Sequence, residues 1–194
     1  MAASGDIQVL NDMLRYKEIY NYPVFIETGT SNGESTRMFS KHFEKTYTCD
    51  NMKEKEEERI ASLKHGDNIT YLLGDSVDCL PVFFNEVGHD KFFLFLDAHG
   101  TSWPILDELK IVADFGYKPF IFIHDFDCKH EGWRFDMWGH NDSIHLDYEY
   151  VKPSMDLIYG EGNYSHEVSQ ICLAPPDGNG VLNLRGCGFF FPKI

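Results

Sequence analysis

Apolar residues in this chain fall in short runs set between longer amphipathic or charged stretches. Asp6 can cap a first helix with Ile7, Leu10, Met13 and Leu14 on one face, and Asn21-Tyr22-Pro23 breaks it. Residues 24–26, Val-Phe-Ile, then read as a short buried strand closed by Glu27. An amphipathic helix follows over 34–42, and a second strand over 46–49 ends at Asp50. The charged run 52–64 reads as a helix whose Lys-Glu-Lys-Glu-Glu-Glu-Arg segment is a solvated face. A third strand at 69–73 precedes Gly74-Asp75-Ser76, and Pro81 makes the helix over 76–87 kinked or late to start. Residues 91–96, Lys-Phe-Phe-Leu-Phe-Leu, are apolar almost throughout, as in a central parallel strand. Pro104 opens a helix to about residue 115, and a fifth strand over 119–123 runs into His124-Asp125.

This alternation predicts an α/β fold, a Rossmann-like open sheet that is mostly parallel with helices on both faces. Right-handed crossovers bring every strand's C-terminal end to one edge, where open α/β sheets bind ligands. Glu27, Asp50, Asp75, Asp97 and the pair His124-Asp125 each stand directly after a strand. Five acidic positions in register point to one shared ligand site. The pattern breaks down over 126–150, which is rich in Trp, Phe, His and Gly and long for a plain connection. It is either a substrate lid or a surface excursion, and it could also serve as a homodimer contact. Residues 144–159 are expected to be partly helical. Residues 168–173 and 186–191, on either side of Pro175-Pro176-Asp177-Gly178-Asn179-Gly180, read as a C-terminal antiparallel hairpin. The expectation is one domain over 1–194.

Charge and composition narrow the partners. At 194 residues the chain can bury a full core, and 16 Phe and 10 Tyr supply it. A formal net charge of −14 argues against nucleic acid and against anionic lipid. No apolar run is long enough to span a membrane, and no signal-peptide pattern opens the sequence. Five scattered cysteines with no Cys-x-x-Cys suit reduced thiols and a cytoplasmic location. The Asn-x-Ser/Thr matches at Asn68, Asn141 and Asn163 carry no weight in that setting.

The chemistry centres on residues 24–33, Val-Phe-Ile-Glu-Thr-Gly-Thr-Ser-Asn-Gly. A strand, a glycine turn and a helix let a backbone approach a nucleotide closely, with N–H groups at the helix start turned to the ligand. The segment lacks the Gly-Lys-Ser/Thr of a phosphate loop and the Gly-x-Gly-x-x-Gly of a dinucleotide fingerprint. An acid at the strand tip would repel a pyrophosphate and suits an ammonium or sulfonium group. Glu27-x-Gly29-x-Ser31-x-Gly33 resembles motif I of class I S-adenosylmethionine-dependent methyltransferases, with Ser31 in place of the middle glycine. The resemblance extends over roughly residues 7–194 and implies a seven-stranded sheet with a terminal antiparallel hairpin. It implies that Glu27, Gly29, Thr30, Ser31 and Gly33 meet the methionine end of the cofactor. Asp50 would hold the ribose hydroxyls, Asp75 and Ser76 would read adenine, and Asp97 would face the methyl donor and acceptor.

Leu-Asp97-Ala-His99, Pro104-Ile-Leu-Asp-Glu-Leu-Lys and Ile-His124-Asp125 resemble the metal-dependent branch related to macrocin and catechol O-methyltransferases. That resemblance implies a magnesium or manganese ion held by Asp97, Asp125 and His124. His124 departs from the pattern, since a hard cation prefers oxygen, and this shifts the preference toward manganese, iron or zinc. The implied reaction is O-methylation of a small-molecule hydroxyl, with Asp97, His99 and His124 as catalytic candidates and His99 or His124 as the base. His130, His140 and His145 read as structural. An NAD-type oxidoreductase and a non-catalytic nucleotide-binding domain are the open alternatives. An iron oxygenase using Asp97, His99 and His124 fits a parallel sheet poorly.

Overall fold

A computed structural model describes residues 6–64, 66–98, 103–131, 135–138, 143–169, 173–174 and 183–193. Helix α1 (Asp6–Tyr20) leads into β1 (Val24–Thr28), α2 (Glu34–Ser40) and β2 (Lys45–Asp50). A 3-10 turn at Lys53–Lys55 precedes α3 (Glu56–Leu63), β3 (Ile69–Leu73), α4 (Ser76–Val87), β4 (Phe92–Leu96), α5 (Ile105–Asp114) and β5 (Phe120–His124). A short hairpin, β6 (Met137–Trp138) with β7 (Ile144–His145), is followed by α6 (Tyr148–Tyr159) and β8 (Tyr164–Val168). A second small pair, β9 (Leu173–Ala174) with β10 (Asn183–Leu184), precedes β11 (Cys187–Pro192).

The main sheet has seven strands in the order β3-β2-β1-β4-β5-β11-β8. Strands β1 to β5 are parallel, and β11 is antiparallel to both β5 and β8. This is the Rossmann-like architecture expected. The chain order reverses between β1 and β4, so the switch point lies between them.

The central strands are buried on both faces, and their alternation sorts side chains by shape. Phe25, Phe93, Phe95, Phe120 and Phe122 point to one face, where they meet Val9, Met13 and Tyr16 of α1 and Phe39 of α2. Ile26, Leu94, Ile121 and Ile123 point to the other, against Leu80 and Phe83 of α4, Leu109 of α5 and Met155 of α6. One layer is thus aromatic and the other largely aliphatic. Edge-to-face and stacked contacts such as Phe25 on Phe39, 4.8 Å between centroids, and Phe120 on Phe191, also 4.8 Å, add to simple burial.

Three expectations shift in detail. The last hairpin begins earlier than 168, at Tyr164, because its polar-apolar alternation Tyr-Ser-His-Glu-Val belongs to a half-covered edge strand. Residues 173–174 leave the main sheet for the separate β9–β10 pair, and the turn at 175–180 lies outside the described residues. Helix α4 starts at Ser76 in spite of Pro81, since Asp75 caps it by accepting from Val77 N–H at 3.3 Å. No helix among the described residues is long and apolar enough to cross a membrane.

Candidate functional site

Strand register decides which acids reach the sheet edge. Thr28 aligns with Cys49 of β2 and Leu96 of β4, and Leu96 aligns with Ile123 of β5. Asp50, Asp97 and His124 therefore stand one step beyond Thr28, on one level. Glu27 lies one step short of Thr28, inside the sheet. It is fully buried, and its Oε2 accepts hydrogen bonds from the Thr36 and Thr48 hydroxyls, the latter at 2.8 Å. The strand runs to Thr28, two residues beyond the apolar run, so Glu27 ties α2 and β2 to β1 and does not reach the surface. Thr30 is equally internal, 2.7 Å from the Thr48 hydroxyl.

The glycine loop is a close-packed crossing. Gly29 has φ +85°, and a Cβ there would lie 2.2 Å from the carbonyl oxygen of Asp97. Gly33, φ +79°, caps α2. Ser31 adopts φ +51°, a left-handed conformation that side chains resist. The loop N–H groups are largely used inside the protein. Gly29 and Thr30 donate to Cys49 O at 3.0 and 3.1 Å, and Gly33 donates to Thr30 O at 2.8 Å. Ser31 N–H donates to Asp50 Oδ2 at 2.7 Å.

Asp50 is correspondingly engaged. Its Oδ1 accepts from Met52 N–H at 2.8 Å and pairs with Arg59 Nη2 at 2.9 Å. A carboxylate offers roughly four acceptor sites, so about one is left for a ligand hydroxyl. Arg59 also donates through Nε to Ser31 O at 2.7 Å and through Nη1 to the Tyr71 hydroxyl at 2.8 Å. This arginine, fully buried, is not the solvated residue that the charged run suggests. Its place four residues before Leu63 on one helix face was the available signal. At the tip of β3, Asp75 Oδ1 accepts from Val77 N–H as the helix cap, and the buried Ser76 hydroxyl has no hydrogen-bond partner among the described residues.

The densest chemistry lies between β4 and β5. His124 Nδ1 stands 3.1 Å from Asp97 Oδ1 and 3.4 Å from Asp125 Oδ2, yet makes a well-aligned hydrogen bond to neither. One donor atom each from Asp97, His124 and Asp125 lies within 4.8 Å of the others, so the three converge on one point. Burial by itself would lower the His124 pKa, but the carboxylates of Asp97 and Asp125 outweigh it and hold the imidazole well above its usual range. Burial would raise Asp125, and His124 with Arg185 outweighs that, holding its carboxyl well below the usual range. Arg185 Nη1 lies 2.5 Å from Asp125 Oδ2 and was not singled out from the sequence. Asp136 N–H donates to Asp125 O at 2.8 Å and Leu146 N–H to Asp136 O at 2.9 Å, so the β6–β7 hairpin hangs directly from this cluster.

The remaining histidines separate. His99 and His140 lie outside the described residues. His130 is exposed, and His145 Nδ1 stands 3.3 Å from Asp127 with its ring 4.9 Å from Phe135. Cys49 and Cys79 are free thiols.

The fold that carries this site is shared with solved methyltransferases. The chain superposes on an O-methyltransferase from Bacillus cereus in complex with SAH, with TM-score 0.61 and 16% identity over 100% of this chain and 82% of that one. O-methyltransferase TomG from Streptomyces achromogenes, involved in tomaymycin synthesis and solved with SAM, gives 0.61 and 13% over 100% and 81%. A SAM-dependent methyltransferase from Anabaena variabilis gives 0.61 and 13% over 99% and 86%. No protein-family profile matches the sequence, and no curated protein does. The class defined here is therefore one of fold, the seven-stranded class I methyltransferase architecture with its acids gathered at the C-terminal edge.

Proposed function

We propose that this chain transfers the methyl group of S-adenosylmethionine to a hydroxyl of a small-molecule acceptor. The observation that carries the reading is the convergence of Asp97, His124 and Asp125 at the switch-point edge, beside a loop whose Gly29 leaves no room for a side chain. Two features support the cofactor. The buried Ser76 hydroxyl, without a partner among the described residues, would read adenine, and Asp50, held by Ser31 and Arg59, would offer its remaining acceptor site to a ribose hydroxyl. Glu27, Gly29, Thr30, Ser31 and Gly33 then act by shaping the loop, with Gly29 packed on the Asp97 backbone and Gly33 on Leu63.

The donor set also fits a divalent ion. The His124 imidazole nitrogen, once it gives up the proton that faces Asp97 and Asp125, and two carboxylates aimed at one point suit manganese, iron or zinc better than magnesium. A bound ion would lower the pKa of an acceptor hydroxyl and fix its position. The chain's own part is to hold the acceptor oxygen in line with the sulfonium methyl, where a C–O bond forms as the S–CH3 bond breaks. Asp97, with 23% of its side chain exposed, is the least buried of the three and the natural acceptor of the hydroxyl proton. The β6–β7 hairpin, tied to Asp125 through Asp136, would form one wall of the acceptor pocket.

Isothermal titration with S-adenosylhomocysteine, NAD and AMP tests this reading. S-adenosylhomocysteine should bind, with affinity reduced at least tenfold in Asp50→Ala and several-fold in Ser76→Ala. Preferred binding of NAD, or no binding of S-adenosylhomocysteine, would overturn it. Methyl transfer to a panel of phenols and sugars then separates an enzyme from a silent binding domain.

A further inference from the structure

Arg185 stands at a place the backbone makes compulsory. Gly186, next to it, is pressed on β5's exit: a Cβ there would lie 1.9 Å from the carbonyl oxygen of Phe126. Phe126 N–H donates to Gly186 O at 3.1 Å, which locks the two segments together. Cys187 pairs with His124 in the antiparallel sheet, so Gly186 falls opposite Asp125 and Arg185 follows one step past it, opposite Phe126. There Nη1 of Arg185 lies 2.5 Å from Asp125 Oδ2, the same oxygen that faces His124 Nδ1. Asp125 is 2% exposed whereas the Arg185 side chain is 36% exposed, so water screens this contact from the arginine side only.

We propose that Arg185 is a resident cation of the cluster, competing with a divalent ion for Asp125 and thereby keeping metal affinity low. A carboxylate oxygen already shared with a guanidinium donates less charge to a metal. A second cation bound a few ångströms away is repelled in a site of low dielectric. The guanidinium is permanently charged, so only movement of the side chain or its removal relieves the competition. The inference rests on the donor set proposed above, but not on methyl transfer.

The test is calorimetric titration of the full chain with Mn2+ alone, for the wild type, Arg185→Gln and Arg185→Lys. Gln keeps hydrogen-bonding capacity and loses the charge, whereas Lys keeps the charge. Expected is Mn2+ binding at least tenfold tighter in R185Q than in the wild type, an R185K affinity within about threefold of the wild type, and loss of the gain in R185Q combined with Asp125→Asn. Equal or weaker binding in R185Q, submicromolar Mn2+ binding by the wild type, or no binding by any of the three would overturn the proposal. Thermal denaturation of each variant confirms folding, and Arg185→Met replaces R185Q if that variant is unfolded. S-adenosylhomocysteine titrated in parallel keeps the outcomes apart: its failure to bind counts against the cofactor reading, and its binding beside a failed metal prediction counts against Arg185 alone.

Discussion

Arg59 and Asp50 form a buried ion pair, Nη2 to Oδ1 at 2.9 Å, with side-chain exposures of 0% and 7%. The same guanidinium holds the backbone oxygen of Ser31, so one side chain joins the glycine loop, the tip of β2 and, through Tyr71, the edge strand β3. Removing one partner of such a pair leaves the other charged and dehydrated, at a cost of about 3–5 kcal/mol. Arg59→Met should therefore lower the unfolding free energy by that order in urea denaturation and weaken S-adenosylhomocysteine binding further than the folded fraction explains. A change under about 1 kcal/mol with unaltered binding would place Arg59 outside the loop's support.

Gly29→Ala should be among the most damaging single-methyl additions in this fold. The new Cβ meets Asp97 O at 2.2 Å and its carbonyl carbon at 2.7 Å, both backbone atoms that cannot step aside. The positive φ adds strain of about 1–2 kcal/mol. Because Asp97 N–H donates to Thr28 O at 3.2 Å, relief of the clash must open the β1–β4 seam at the switch point. A melting temperature within a few degrees of wild type, with ligand binding intact, would contradict this. Gly116→Ala is the control: it has φ +69° but nothing within 4 Å of a new Cβ, so it carries the strain without the clash.

What was legible in the sequence follows from how far local signals reach. The central strands were plain because burial on both faces demands unbroken apolar runs such as Phe92 to Leu96. The acids at strand tips were plain because a polar residue ends such a run abruptly. Glu27 shows the limit of that signal. A strand can continue two residues past its apolar run when partners such as Thr36 and Thr48 satisfy a buried carboxylate, and those partners lie 9 and 21 residues away. Arg59 left only the faint signal of its spacing to Leu63, and Arg185 left none, because the partners Asp50 and Asp125 that hold them come together only in the tertiary fold.

Asp147 gives a test of local stability away from the site. It is the N-cap of α6, accepting from Tyr150 N–H at 3.0 Å, and it also pairs with Lys129 at 2.7 Å. Asp147→Ala should cost about 1 kcal/mol, the usual value of a lost cap, with Asp147→Asn recovering most of it. The lysine pair adds little because Lys129 is largely exposed, so Lys129→Met should shift stability by less than about 1 kcal/mol. Urea titrations of the three variants measure both terms. A Lys129→Met effect larger than that of Asp147→Ala would reverse the assignment.

His166 should make the fold acid-sensitive in a defined direction. Its ring packs against Phe190 at 4.6 Å and Tyr148 at 4.8 Å, and its buried Nε2 has no hydrogen-bond partner among the described residues. Burial depresses its pKa below the ordinary 6.5, with Glu167 opposing only in part. In the window between the folded value and the unfolded value, the unfolded chain binds more protons than the folded one. Stability from this group is therefore complete above about pH 6.5 and is lost progressively as the pH falls toward the depressed folded value. His166→Phe keeps the stack and removes the titration. Unfolding free energies measured from pH 5 to pH 8 should show the wild type losing stability relative to His166→Phe on the acid side. A difference that stays constant across that range, or that grows as the pH rises, would mean that His166 is as readily protonated folded as unfolded.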